Sequence, residues 1–270
     1  MKVLDLFSGI GGFSLGLERA GMHTIAFCEN NPYCRAILER HWPTVPIHNN
    51  VRHLDGKDYE GKVDLICGGF PCQPFSEAGK RRGTEDDRYL WPEMLRVISE
   101  VRPTWVLGEN VIGFVNMELD SVLSDLEEEG YQTRAFIIPA CSVDAPHKRN
   151  RVWIVAHTNN SGQSAGEREG SKRYYIRRCR EVMADSGAPR SQGGILGRQN
   201  KEWQSKYGYL GCDSAIHRQP NPSSWTPEPR IRRVVDGIPH RMDRIKGLGN
   251  AVVPQVVEAI GGMIKKANQL

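Results

Sequence analysis

The sequence predicts an α/β fold, an open sheet wound with helices and broken late by an irregular insert. Three observations predict it. A strand–glycine turn–helix unit opens the chain. Short apolar, β-branched runs then alternate with amphipathic segments as far as Ala156, and from Thr158 to Pro229 that pattern dissolves into Gly, Ser, Arg, Asn and Pro. At 270 residues the chain can bury a full core, as one large domain or one domain with a smaller insert.

In the opening unit, Val3 to Phe7 is apolar and gives way to Ser8-Gly9-Ile10-Gly11-Gly12. Phe13, Leu15, Gly16, Leu17 and Ala20 then mark the inward face of a helix. Glycines permit close backbone approach, and a helix amino end offers unpaired N–H groups. Thr24 to Cys28 is the second strand, and Glu29 follows it about twenty positions beyond the turn, a spacing suited to ribose hydroxyls. A plain strand-to-helix turn without a ligand remains the alternative. Asn31 to His41 reads as a helix with Cys34, Ile37 and Leu38 inward, and Val45 to Val51 as a third strand region.

Val63 to Cys67 reads as a buried strand that stops at Gly68-Gly69 and meets Phe70-Pro71-Cys72-Gln73-Pro74-Phe75-Ser76. Both prolines lack an amide donor and bias the preceding residue away from helical angles. Cys72 is thereby expected on a stiff turn past a strand's carboxyl end, where open α/β sheets hold ligands. A thiol there serves as a nucleophile once its pKa falls or a base meets it; an inert buried cysteine is the alternative. Lys80 to Arg88 is polar and glycine-containing, the composition of a closing loop. Pro92 suits a helix's first turn, and Met94, Leu95, Ile98 and Val101 form that helix's apolar face. Trp105 to Gly108 is a fifth strand ending in Glu109-Asn110-Val111, which places a second reactive side chain beside the same crevice. A helix marked by Leu119, Val122, Leu123 and Leu126 stops near Gly130. Tyr131 to Ala140 and Arg151 to Ala156 are the last sheet signals. Arg149 and Arg151, two apart on a strand, are expected on one face, spaced for a base edge or phosphates, unless the stretch is simply a charged hairpin. Beyond the insert, Leu248 to Pro254 opens a terminal helix, Gln255 to Lys266.

Charge separates the insert from the rest. Of 36 Lys+Arg and 32 Asp+Glu, residues 157–233 hold 14 and 7, a surplus of +7 against −3 elsewhere. Such a segment suits a phosphate backbone or is a solvated loop. Its scattered Trp203, Tyr207, Tyr209 and Trp225 could seed a small core, and basic side chains among aromatics also suit DNA contact. No apolar run approaches a membrane span of about 18 residues, and an acid at position 5 argues against a secretory signal. Seven cysteines without a Cys-x-x-Cys pair fit reduced thiols, so a cytoplasmic protein, in a bacterial or phage-infected cell, is expected.

With these pieces in place, the chain resembles the DNA cytosine-5 methyltransferases, notably their compact phage-like members. The motifs fall in the family's order: Asp5 to Gly12, Gly68 to Ser76, Glu109-Asn110-Val111, Arg149-x-Arg151, and Gly249-Asn250-Ala251-Val252-x-Pro254. Five in sequence are highly specific, and they leave only Thr158 to Pro229 unmatched. The resemblance implies a Rossmann-like S-adenosylmethionine-dependent methyltransferase fold. Its seven-stranded mixed sheet would end in an antiparallel pair, with a small irregular target-recognition domain attached. Residues 1–157 would form the catalytic and cofactor-binding domain, 158–229 the recognition domain, and 230–270 the return to the catalytic domain.

The resemblance implies catalytic roles for Cys72, Glu109, Arg149 and Arg151. It carries S-adenosyl-L-methionine to Phe7, Ser8, Gly9, Ile10, Gly11, Gly12, Glu29, Asn30, Asn50, Val51, Pro71, Asn250 and Val252. It also implies double-stranded DNA as substrate, a flipped-out cytosine, and a monomer of restriction-modification or phage self-protection type. Three departures stand out. Asn50 replaces a common aspartate near the adenine, so weaker or altered cofactor binding is expected. His147 replaces the usual glutamine, and the joint near Arg230 is indistinct. An RNA cytosine methyltransferase and a non-enzymatic DNA binder are the two rival readings.

Overall fold

The structure is a computed structural model, and it describes residues 1–71, 89–158 and 241–269. The chain divides into two compact units, 1–158 with 210–270 and 159–209, and every described residue belongs to the first. The sheet strands are β1 (Lys2–Leu6), β2 (His23–Cys28), β3 (Ile47–His48), β4 (Leu65–Gly68), β5 (Trp105–Val111), β6 (Tyr131–Ile138) and β7 (Arg151–Thr158). The helices are α1 (Gly12–Arg19), α2 (Pro32–His41), α3 (Trp91–Val101), α4 (Leu119–Glu128), α5 (Arg241–Asn250) and α6 (Pro254–Ala267).

Among the described residues, seven strands form one sheet in the order β3-β2-β1-β4-β5-β7-β6. The first five in that order are parallel, and β7 runs antiparallel to both β5 and β6. The seven-stranded mixed sheet expected from the motifs is therefore present. Strands β1 and β4 are buried along nearly their whole length, as parallel strands covered on both faces must be. The chain leaves β1 toward β2 and β3, then returns to add β4 and β5 on the other side, so a topological switch point lies between β1 and β4.

Register determines what meets at that point. Leu6 pairs with both Cys28 and Gly68, and Gly68 pairs with Gly108. The residues that follow these positions (Phe7, Glu29, Gly69 and Glu109) therefore emerge along one edge. Because β7 is antiparallel to β5, its first residue, Arg151, arrives at the same edge opposite Val111. Helices α1 and α6 cover one face, with Leu17, Val257 and Ile260 joining Leu65, Leu107 and Trp153 in one core. The C-terminal helix thus packs on the first helix of the chain.

Several local expectations are corrected. Helix α1 buries Ser14 while Leu15 is 39% exposed, because the Ser14 hydroxyl donates to buried Asp5 at 2.7 Å. The third strand is only two residues long. Asn50 turns the chain there by accepting the Arg52 N–H, and Val51–His53 is a 3-10 turn. Arg149 is not on a strand; it occupies the preceding turn with φ of 37°. Gly249 and Asn250 close a helix, α5, where the start of the terminal helix was expected; its Met242, Ile245 and Leu248 are exposed. The terminal helix begins at Pro254 and runs to Ala267, with Pro254 at its first position. Among the described residues no helix is long and apolar enough to cross a membrane.

Candidate active site

The turn after β1 is built from backbone in the left-handed region: Phe7 has φ of 53°, Gly9 of 54° and Gly11 of 84°. Two contacts require glycine there. A Cβ on Gly11 would lie 2.5 Å from the Trp42 ring, and one on Gly12 would lie 2.9 Å from Val252 Cγ2. The C-terminal segment therefore lies directly on the turn. Ser8 ties the ends of β1 and β2 together: its hydroxyl donates to the Asp5 carbonyl at 2.6 Å, and its oxygen accepts the Cys28 N–H at 3.3 Å.

Below the turn, Asp5 is fully buried opposite Cys67, and burial pushes its carboxyl up to about 7, against the Ser14 hydrogen bonds. Burial and the neighbouring Glu29 and Asp5 carboxyls likewise push the Cys28 thiol up to about 12, which leaves it protonated and inert.

Glu29 is buried, and both its oxygens accept backbone N–H groups, from Gly9 and from Asn31, each at 2.7 Å. The carboxylate is held rigidly against the glycine turn and keeps further lone-pair capacity for a hydroxyl donor. Asn30 is exposed, and its carbonyl accepts Arg35 Nη1 at 2.6 Å. Val51 is buried and Asn50 half-buried, with the Asn50 side-chain oxygen engaged at 3.0 Å in capping Arg52. Sequence reasoning missed Arg96, which donates to the Val51 carbonyl at 2.8 Å and the Leu54 carbonyl at 3.0 Å while paired with Glu93 and Glu100. Its spacing from those glutamates, three and four residues, resembles any solvated helix face, so the signal was hidden.

On the other side of the switch point, Phe70 is buried against Trp91 and Phe114, with ring centroids 5.0 and 5.4 Å away. Asn110 Nδ2 donates to the Phe70 carbonyl at 3.1 Å, and its own oxygen accepts the Val111 N–H. The backbone entering Pro71 is thus fixed by β5. Cys72 and the Lys80–Arg88 loop lie outside the described residues.

Glu109 projects beside this backbone: a Cβ on Gly69 would lie 3.3 Å from Glu109 Oε2. On the antiparallel pair, Glu109 and Val111 share a face, so Arg151 opposite Val111 is a diagonal neighbour of Glu109. Arg151 Nε meets Glu109 Oε1 at 2.9 Å. Burial nonetheless dominates and pushes the Glu109 carboxyl up to about 7, against the lowering effect of Arg151 and Arg149. Arg149 Nη2 donates to the carbonyls of Gly249 and Ala251 at 2.7 and 2.8 Å. Asn250 itself is exposed, whereas Val252 is buried on the glycine turn. Among the described residues no group of three or more His, Cys, Asp or Glu could hold a metal ion.

This edge therefore carries two adjoining halves: a rigid glycine turn with an anchored carboxylate, and a buried carboxyl that keeps a proton near neutrality beside an arginine. The chain is similar to several known proteins. Residues 1–220 match the family model described as C-5 cytosine-specific DNA methylase. The chain is 33% identical over 216 residues to the Type II methyltransferase M.PspPI of Psychrobacter sp. (strain TA137), a match covering 76% of this chain and 52% of that protein. It is 31% identical over 165 residues to the Type II methyltransferase M.HhaI of Haemophilus parahaemolyticus, covering 59% and 50%. The chain spans about half the length of the curated relatives it matches. Among solved structures, a mutant DNMT2 of Spodoptera frugiperda is similar with a TM-score of 0.52 and 26% identity, over 61% of this chain and 52% of that one. The S. pombe Dnmt2 methyltransferase shares the fold at a TM-score of 0.51 and 24% identity, over 72% and 58%.

Proposed function

The chain belongs to the C-5 cytosine-specific DNA methylase family, and from that membership we propose that it methylates cytosine at C5 in double-stranded DNA through a covalent cysteine adduct. One observation carries the reading: a buried, proton-retaining Glu109 stands beside the backbone that leads into Cys72, across the switch point from the Gly9–Gly12 turn.

Cytosine C5 is a weak nucleophile, and the proposed residues divide the work of activating it. The Cys72 thiolate adds to C6, forming a carbon–sulfur bond and driving electron density onto N3. Glu109, able to hold a proton at neutral pH, protonates or hydrogen-bonds N3 and stabilises the adduct. Arg151 orients Glu109 and faces the base's O2. Carbon 5, now enamine-like, accepts a methyl group. Loss of the C5 proton to a base then returns electrons to the ring, the carbon–sulfur bond breaks, and the Cys72 thiolate leaves. None of this is possible inside a stacked duplex, so the cytosine is flipped out.

The transferred methyl group comes from S-adenosyl-L-methionine, whose sulfur–methyl bond would break to leave S-adenosyl-L-homocysteine, and the residues present suit it. Gly9 leaves open space where a side chain would stand, the Glu29 carboxylate is anchored for ribose hydroxyls, and Phe7, Ser8, Ile10, Val51, Pro71 and Val252 are assigned beside it. Asn50, whose oxygen already caps Arg52, leaves the adenine amino group a shared acceptor in place of a dedicated carboxylate. The basic residues 158–229 read the target sequence, in a soluble monomer of restriction-modification or phage self-protection type that works in the cytoplasm.

Bisulfite sequencing of DNA from cells expressing the chain tests activity and target together. Methylation at one short sequence is expected. Transfer of labelled methyl groups to tRNA but not to duplex DNA would replace DNA by RNA as substrate, and inactivity on every cytosine-containing duplex would favour a binding protein.

A further inference from the structure

Arg149 occupies an unusual position for a residue of a DNA-contacting pair. Its backbone is left-handed, with φ of 37°, which a side-chain-bearing residue adopts only when its surroundings hold it there. The turn is secured at its other side, where Ala140 N–H donates to the Lys148 carbonyl at 2.6 Å. From this turn the guanidinium does not run along β7 beside Arg151. It reaches across the fold to residues 100 and 102 positions later in the chain, where Nη2 donates to the carbonyls of Gly249 and Ala251.

Those carbonyls belong to the end of α5 and the residue just past it, groups that no further helical turn can satisfy. A cation there also meets the negative end of the helix. The next residue is Val252, which packs on Gly12, and Val253 then caps α6. Arg149, Arg151, Val253 and Val256 line a single small cleft between the strands and α6. The same short turn thus sends one arginine to the Glu109 carboxyl and the other to the segment that covers the glycine turn.

We propose that Arg149 is a positioning residue of the cofactor site: it clamps residues 249–251 to the sheet and so seats Val252 on the Gly9–Gly12 turn, while Arg151 alone serves the base. This deepens, and rests on, the reading of that turn as the place of an adenosyl amino acid. The clamp couples the two halves of the site mechanically, because the β7 turn cannot shift without moving both Arg151 and the floor under Val252.

Two measurements on the whole chain test it. Hydrogen exchange of amides 247–257 is compared in the wild type and in Arg149→Gln, and S-adenosylhomocysteine and duplex DNA are titrated separately by calorimetry. Arg149→Gln is expected to speed exchange at 249–253 at least tenfold and to weaken S-adenosylhomocysteine at least tenfold. Affinity for duplex DNA without cofactor should change less than twofold. Arg149→Lys, which keeps the charge and can meet one carbonyl, should recover part of both losses.

Unchanged exchange at 249–253, or a loss of DNA affinity with cofactor affinity intact, would overturn the clamp. Should Arg149→Gln fold poorly, the cycle of Arg149→Lys with Val252→Ala decides: non-additive losses of cofactor affinity support action through Val252, and additive losses refute it. A wild-type chain that binds no cofactor overturns the functional reading, and the exchange comparison then still decides whether Arg149 fastens the segment.

Discussion

Replacing Glu109 by glutamine removes the titratable proton and changes almost no volume, which makes it the sharpest probe of the proposed chemistry. Burial raises this carboxyl from 4.5 to about 7 even with Arg151 Nε 2.9 Å away. At pH 7 an ordinary glutamate holds its proton about 0.3% of the time, whereas this one holds it about half the time, a bias of about 3 kcal/mol toward the acid. If the acid form acts at N3, single-turnover methyl transfer should decline once pH exceeds both the Glu109 and the Cys72 pKa, tending to tenfold per pH unit. At lower pH the increasing thiolate fraction of Cys72 opposes the loss of acid and rounds the profile into a bell. Glu109→Gln should lower the single-turnover rate about 100- to 10,000-fold and erase the alkaline limb, with DNA affinity little changed. The same shift has a stability sign. A folded pKa above the unfolded one stabilises the fold fully below pH 4.5, and that contribution is lost as pH rises through 7. Rate measurements between pH 6 and 9 decide the matter: an alkaline limb that persists in Glu109→Gln, or an unchanged rate, refutes the acid role.

Other outcomes follow from the same edge of the sheet. Cys72→Ser should abolish turnover while S-adenosylhomocysteine still binds, read by calorimetry; retained methylation would remove Cys72 from the mechanism. Asp5, fully buried and raised to about 7, should lower stability as pH climbs from about 4 toward 7. Asp5→Asn, which keeps an acceptor for Ser14, should flatten the dependence by about 3 kcal/mol between pH 5 and 8 in urea titrations; parallel profiles for the two proteins would contradict this. Deleting residues 158–229 should abolish site preference and shallow the salt dependence of DNA binding; preference that survives the deletion places recognition elsewhere.

The parts of the site readable in advance are those written in local chemistry. Gly9 to Gly12 after an apolar run, Glu29 timed behind it, and Gly68-Gly69 before two prolines each impose a backbone outcome on their own neighbours. Where periodicity was the only guide, errors entered. Leu15 looked inward because α1 has an apolar face, yet Ser14 took the buried place to satisfy Asp5. Helix α5 was missed although Met242, Ile245 and Leu248 stand three apart, and Val45–Val51 shrank to a two-residue strand once Asn50 capped its own turn.

The sequence by itself determined the succession of β1 to β7 with α1 to α4, the glycine turn after β1 and the standing of Glu29 and Glu109 at the carboxyl ends of their strands, because each depends on residues a few positions apart. Tertiary structure alone decided that Arg151 approaches Glu109 along an antiparallel diagonal and that burial holds a proton on that carboxyl. It alone decided that Arg96 fastens the Val51 segment, and that Arg149 fastens the C-terminal one. The physical reason is the same in each case. A hydrogen bond or a desolvation between segments 45 or 100 residues apart leaves no period, spacing or composition in the chain. It exists only once the sheet has brought those segments to one edge.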